Sequence, residues 1–177
     1  ALTLLREVDL INTRRRHRMV DLAVAECGGS VSGRRVAVLG AAFKPFTDDV
    51  RDSPALHVAA QLQLQGAEVR VYDPKANDQA SRIFPTMQYV DTARDAVRGA
   101  GLLLHLTEWP EFADLDPVEL LPLVREPRIL DGRTTLDAER WRSAGWSFRA
   151  LGRPLKLPPS EATSGAEPSA AKHEDDR

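Results

Sequence analysis

Apolar positions along the chain form two kinds of run. Over residues 3–26, Leu5, Val8, Ile11, Met19, Leu22 and Ala23 recur at helical spacing with no Gly or Pro between them, which predicts one long helix. "RRRHR", Arg14 to Arg18, breaks that stripe, either as a solvated helix face or as a surface that docks on a missing partner or missing domain. "CGGSVSG" ends the helix with glycines. After it, short apolar runs alternate with helical patterns. "RRVAVLG", "AEVRVYDP", "MQYV", "GLLLHLT", "RILDG" and "WSFRALG" read as strands. "SPALHVAAQLQLQG", "DTARDAVRGA", "DPVELLPLV" and "LDAERWRSAG" read as helices. Ser53 is the expected cap of the first of these, with Pro54 at its first position and Gly66 as its stop. Asp91 is the expected cap of the second.

Strands separated by single helices imply right-handed βαβ units. Two such halves give an α/β, Rossmann-like, mostly parallel sheet of order 3-2-1-4-5-6, with helices on both faces and the long helix in front. From about Pro158 onward the chain has no aromatic or β-branched aliphatic residue and is rich in Pro, Ser, Ala and charge. A disordered tail is expected there.

Composition narrows the function. The 177 residues suffice for one domain with a real core. A formal charge of −2 excludes a global basic field for nucleic acid or membrane. No run approaches the roughly 18 apolar residues of a membrane span. The N-terminal basic cluster follows the apolar residues, the wrong order for a secretion signal. Cys27 is the single cysteine, so no internal disulfide forms, and a reducing cytoplasm is expected. The chain opens on Ala1 inside a helical pattern, which suggests a fragment or a processed chain.

Ligands of open parallel sheets sit outside the carboxyl ends of the strands, near the switch point. The loop after the first strand, "LGAAFKPFTDDVRDSP", has Gly40 alone where a dinucleotide fingerprint needs three glycines. It offers Lys44, Asp48, Asp49, Asp52 and Arg51 instead. In the expected order, strands one and five lie about 10 Å apart. Lys44 and Arg133 leave the same edge and have the reach to close on one diphosphate, or each pairs with a nearby Asp in a loop salt bridge. Asp48 and Asp49 are expected to orient Arg51 or satisfy loop amides. Asp73 ends the second strand, where a dinucleotide-binding domain holds its ribose carboxylate. Thr107, Glu108 and Trp109 reach the same edge after the fourth strand. The four histidines show no metal spacing, and His105 is expected as a core residue with its polar atoms satisfied. Cys27 has no neighbouring His or Lys to lower its pKa and is not expected to be a nucleophile.

"GRRVAVLGAAFKPFTDDVRDSPALHVAAQLQLQGAEVRVYDPKA" resembles the C-terminal domain of the UDP-glucose/GDP-mannose dehydrogenase family. "LTEWPEF", "ILDGRTTLD" and "GWSFRALGR" resemble its later segments, and "VDLINTRRRHRMVDL" the end of its long central helix. The likeness runs from about residue 5 to 153. It implies three parts: residues 1–32 as the end of a central dimerisation helix, 33–154 as a UDP-sugar-binding domain and 155–177 as the tail. It implies oxidation of the C6 hydroxyl of a nucleotide sugar to a carboxylate in two NAD-dependent hydride transfers, through a cysteine thioester. Phe43, Lys44 and Arg133 match positions that contact the nucleotide sugar, and Arg51 matches the arginine that reaches NAD. The resemblance implies UDP-glucose as substrate, with GDP-mannose or an N-acetylated UDP-hexose as alternatives. The family's glycine-rich fingerprint, cysteine motif and catalytic lysine and asparagine segment are absent from these residues. That implies a separate N-terminal NAD-binding domain, a homo-oligomer in the whole enzyme and no reaction by this chain alone. A free-standing or inactive nucleotide-sugar-binding module is the other reading. Phe46 stands where the family pattern has a small polar residue, often Asn.

Overall fold

The computed structural model describes residues 2–152, so the expected tail lies outside the described residues. Six strands form one sheet: β1 (Arg35–Leu39), β2 (Glu68–Tyr72), β3 (Gln88–Tyr89), β4 (Leu102–His105), β5 (Arg128–Asp131) and β6 (Ser147–Ala150). Every pairing is parallel and the order is β3-β2-β1-β4-β5-β6, as the alternating pattern predicts. Central strands of a doubly covered sheet are buried on both faces, which is why β1 and β4 read as continuous apolar runs.

The helices are α1 (Leu2–Glu26), α2 (Pro54–Leu64), α3 (Asn77–Ile83), α4 (Ala93–Val97), α5 (Pro110–Ala113), α6 (Pro117–Leu120) and α7 (Ala138–Ser143). Right-handed crossovers place α2 and α3 on one face and α4 to α7 on the other. α1 packs beside α2 and over β5. Its apolar stripe divides there. Met19, Leu22 and Ala23 enter the core, while Val8 and Ile11 remain half exposed.

Ser53 caps α2 through Leu56 N, with Pro54 at the first helical position. The cap of α4 is Thr92, not Asp91: its hydroxyl accepts the Asp95 amide at 3.1 Å. The helix starts one residue later than the carboxylate suggests. Three elements differ from the sequence pattern. α3 buries Ala80 alone and so shows no stripe. α5 is a single turn after Trp109. "DPVELLPLV" makes one α turn and then a 3-10 turn over Leu121–Leu123, because Pro122 cannot donate its amide.

Gly40 ends β1 with φ +99°, and a Cβ there would lie 2.4 Å from Thr107 Cβ and 2.6 Å from Thr107 N. The glycine therefore admits the backbone that follows β4, and not a pyrophosphate. Left-handed strain and a backbone clash together set an expected cost of about 3 kcal/mol for Gly40→Ala, measured by urea unfolding. A stability within 0.5 kcal/mol of the parent, about the scatter of a neutral surface change, would contradict this packing.

Candidate functional site

Four loops, after β1, β2, β4 and β5, leave the carboxyl edge of the sheet, and two buried carboxylates fix them. Asp73, at the end of β2, is 2% exposed. Its oxygens accept five N–H groups: Ala41 (2.7 Å), Ala42 (2.9 Å), Lys75 (3.0 Å), Ala76 (2.9 Å) and the Trp109 indole (3.0 Å). Asp131, at the end of β5, is fully buried. It accepts the amides of Arg133 (2.9 Å), Thr134 (2.9 Å) and Leu136 (3.0 Å) and pairs with His105 Nδ1 at 2.8 Å. The carboxylate has no proton to give, so Nδ1–H is the donor. Burial pushes the Asp131 carboxyl up, but the His105 hydrogen bond and the loop amides more than offset this and leave it below its ordinary value. His105 is a core residue, as its place in an apolar strand predicts, but it is only half satisfied: Nδ1 meets Asp131, while Nε2 has no partner among the described residues.

The loop after β1 is closed on itself. Phe43 N donates to Asp49 O at 2.8 Å, and Ser53 Oγ donates to Ala41 O at 2.6 Å. Asp49 does orient Arg51: it accepts the Arg51 amide at 3.0 Å and a side-on fork from the guanidinium at 3.0 and 2.7 Å. The Arg51 hydrogen bonds hold the Asp49 carboxyl down at about 2. Phe46 sits at φ +66°, with its ring edge-on to Trp109 at 5.6 Å. That conformation is one that Asn tolerates and bulky side chains rarely adopt.

Phe43, Lys44 and Arg133 line one broad cleft of about 1660 Å³ between this edge and α1. The cleft is strongly basic although the chain is not. Arg14, Arg15, Arg16, Arg18, Lys44, Arg133 and Arg149 line it, against Asp9 and Asp52. Part of "RRRHR" thus faces this cleft. Lys44 is exposed, and no described carboxylate pairs with it. Arg133 pairs not with a nearby Asp but with Glu108, whose two oxygens accept from Nε and one Nη at 2.5 and 2.7 Å. Arg51 is not among the cleft-lining residues.

Residues 37–138 match the model of the UDP-glucose/GDP-mannose dehydrogenase family, UDP binding domain. The chain belongs to this family. TuaD, a UDP-glucose 6-dehydrogenase of Bacillus subtilis, is 38% identical over 159 residues, 89% of this chain and 33% of that protein. A UDP-glucose 6-dehydrogenase of Rhizobium meliloti is 37% identical over 147 residues, 81% of this chain and 33% of its own. A UDP-glucose dehydrogenase from the archaeon Pyrobaculum islandicum has a similar structure, with TM-score 0.69 at 31% identity over 81% of this chain and 31% of that one. The chain spans about a third of the length of the curated relatives it matches. No described helix is long and apolar enough to cross a membrane.

The fold does not offer a dinucleotide cradle at its own switch point. The Ala41 and Ala42 amides, which would face a pyrophosphate, are taken by Asp73. The ribose-carboxylate position is that same Asp73, with both oxygens engaged. The residues present thus do not form an NAD site within this sheet.

Glu108 and Asp131 set an acid limit. Burial raises the Glu108 carboxyl, and the Arg133 hydrogen bond more than offsets it, so both groups titrate below their ordinary values. Between about pH 4 and those lowered values the unfolded chain binds more protons than the folded one, so stability rises with pH there. Urea midpoints are expected to be flat from about pH 7 to 5 and to fall below about pH 4. A midpoint unchanged down to about pH 3 would contradict the assignment.

Proposed function

We propose that this chain is the nucleotide-sugar-binding part of an NAD-dependent nucleotide-sugar 6-dehydrogenase, with UDP-glucose as the substrate. The observation that carries it is the convergence of Phe43, Lys44 and Arg133 on one basic cleft. A guanidinium fork and an ammonium suit two bridged phosphoryl groups. In this reading Lys44 and Arg133 hold the diphosphate, and the half-exposed Phe43 ring gives an apolar wall for the rest of the ligand. Arg51, free of the cleft, reaches toward the cofactor held by another domain. NAD supplies the hydride acceptor for the two oxidations at C6, and that chemistry lies outside this chain. Cys27 is not the thioester residue: it is buried at the end of α1, and burial pushes its thiol up despite Arg34 and Arg128 nearby. The whole enzyme is proposed to be a cytoplasmic homo-oligomer.

The test is to incubate the purified chain with UDP-glucose and NAD and follow both binding and NADH. The proposal predicts binding of UDP-glucose and no NADH. NADH formation would place a complete reaction site here, and absence of binding to UDP-glucose, GDP-mannose and N-acetylated UDP-hexoses alike would overturn the proposal.

A further inference from the structure

We propose that Glu108 is a positioning residue for Arg133, holding the guanidinium by one edge so that the other edge faces an incoming diphosphate. This rests on the nucleotide-sugar reading above. A guanidinium carries five N–H groups. The bonds to Glu108 use Nε–H and one N–H of a single Nη. Three N–H groups remain, and two of them, one from each Nη, form the end-on edge that matches a phosphate bidentately.

The surrounding bonds show why the side chain needs this hold. Asp131 fixes the Arg133 backbone through the amides of Arg133 and Thr134, and Thr134 is kept at φ +61°. Rotation about the side chain is the freedom that remains. Glu108 is itself braced on both sides: Thr107 Oγ1 donates to Ala42 O at 2.8 Å, and the Trp109 indole donates to Asp73 at 3.0 Å. The chain turns tightly at Glu108, where the Trp109 amide donates across it to Thr107 O at 2.9 Å. So Thr107 and Trp109 tie to the loops of β1 and β2, while Glu108 turns to the loop of β5. "TEW", in the loop after β4, therefore joins the other three loops of the edge. Stability does not explain the pair. Glu108 and Arg133 side chains are 30% and 37% exposed, and ion pairs exposed to that degree contribute little.

A carboxylate beside an anion site has two opposite effects, and their balance makes the test. Its charge repels the ligand, and its hold on Arg133 lowers the ordering cost of binding. The positioning role predicts that Glu108→Ala weakens UDP-glucose binding about two- to tenfold by calorimetry. Glu108→Gln, which keeps one acceptor, should fall between that and the parent. In an Arg133→Ala background, Glu108→Ala should leave affinity unchanged or raise it. Tighter binding by Glu108→Ala alone, or the same loss in both backgrounds, would overturn the role. A ligand-free readout runs beside it. The Arg133 Nε–H resonance should exchange slowly in the parent and be lost in Glu108→Ala; a signal indifferent to Glu108 also overturns the role. If the parent binds none of UDP-glucose, GDP-mannose and N-acetylated UDP-hexoses, the nucleotide-sugar reading alone falls. Titration with inorganic pyrophosphate and the Arg133 resonance then decide the part played by Glu108.

Discussion

Asp73→Ala leaves the chain largely unfolded. One buried carboxylate satisfies four backbone amides and an indole drawn from three loops. Each buried donor left without a partner costs about 1–3 kcal/mol, and Ala41, Ala42, Ala76 and Trp109 are all buried. Partial relaxation and water entry reduce the sum, so an overall loss of about 4–6 kcal/mol is expected. That is comparable with the whole stability of an ordinary domain. Asp73→Asn keeps the shape but turns an N–H₂ group toward N–H donors, and about half that loss is expected. Urea unfolding of the two variants checks this. If Asp73→Ala folded like the parent and instead lost affinity for NAD, Asp73 would be a ribose-binding carboxylate after all.

The second large effect is on ligand affinity. Removing one charge-assisted hydrogen-bonding partner costs roughly 1.5–3 kcal/mol, or about one to two decades. Lys44→Ala and Arg133→Ala are each expected to weaken UDP-glucose by that amount, and the double variant by about two to four decades if the losses add. Arg133→Ala has a further consequence: it leaves Glu108 without its partner beside the anion site. Arg51→Ala, by contrast, is expected to leave UDP-glucose affinity unchanged in the absence of cofactor. Equal losses at Arg51 and Arg133 would make the loop after β1 one phosphate-binding device and end the split assignment.

The sheet was legible because buried parallel strands are short apolar runs, and α2 because Ser53 and Pro54 mark its start in local chemistry. α3 was not legible, since a helix that buries only Ala80 writes no period into the sequence. Topology alone brought Lys44 and Arg133 to one edge, and the structure lines one cleft with both. It did not disclose which carboxylate meets Arg133. The candidates are several and Glu108 lies 25 positions away in sequence, so pairing depends on the direction a side chain takes from the end of β4. The use of Asp73 was hidden for a related reason. Its partners are mostly backbone amides, which every sequence has and no sequence marks. Gly40 illustrates the same limit: a lone glycine at a strand end is compatible with a phosphate loop, and only the position of Thr107 shows what it admits.

The most direct measurement is a titration of UDP-glucose into the isotope-labelled chain, followed residue by residue by NMR. The proposal predicts saturable shifts at Phe43, Lys44, Gly132 and Arg133, with the Ala41 and Ala42 amides unmoved because Asp73 holds them. Shifts centred on Gly40, Ala41, Ala42 and Asp73, with Arg133 still, would contradict it and return the ligand to the switch point of the sheet.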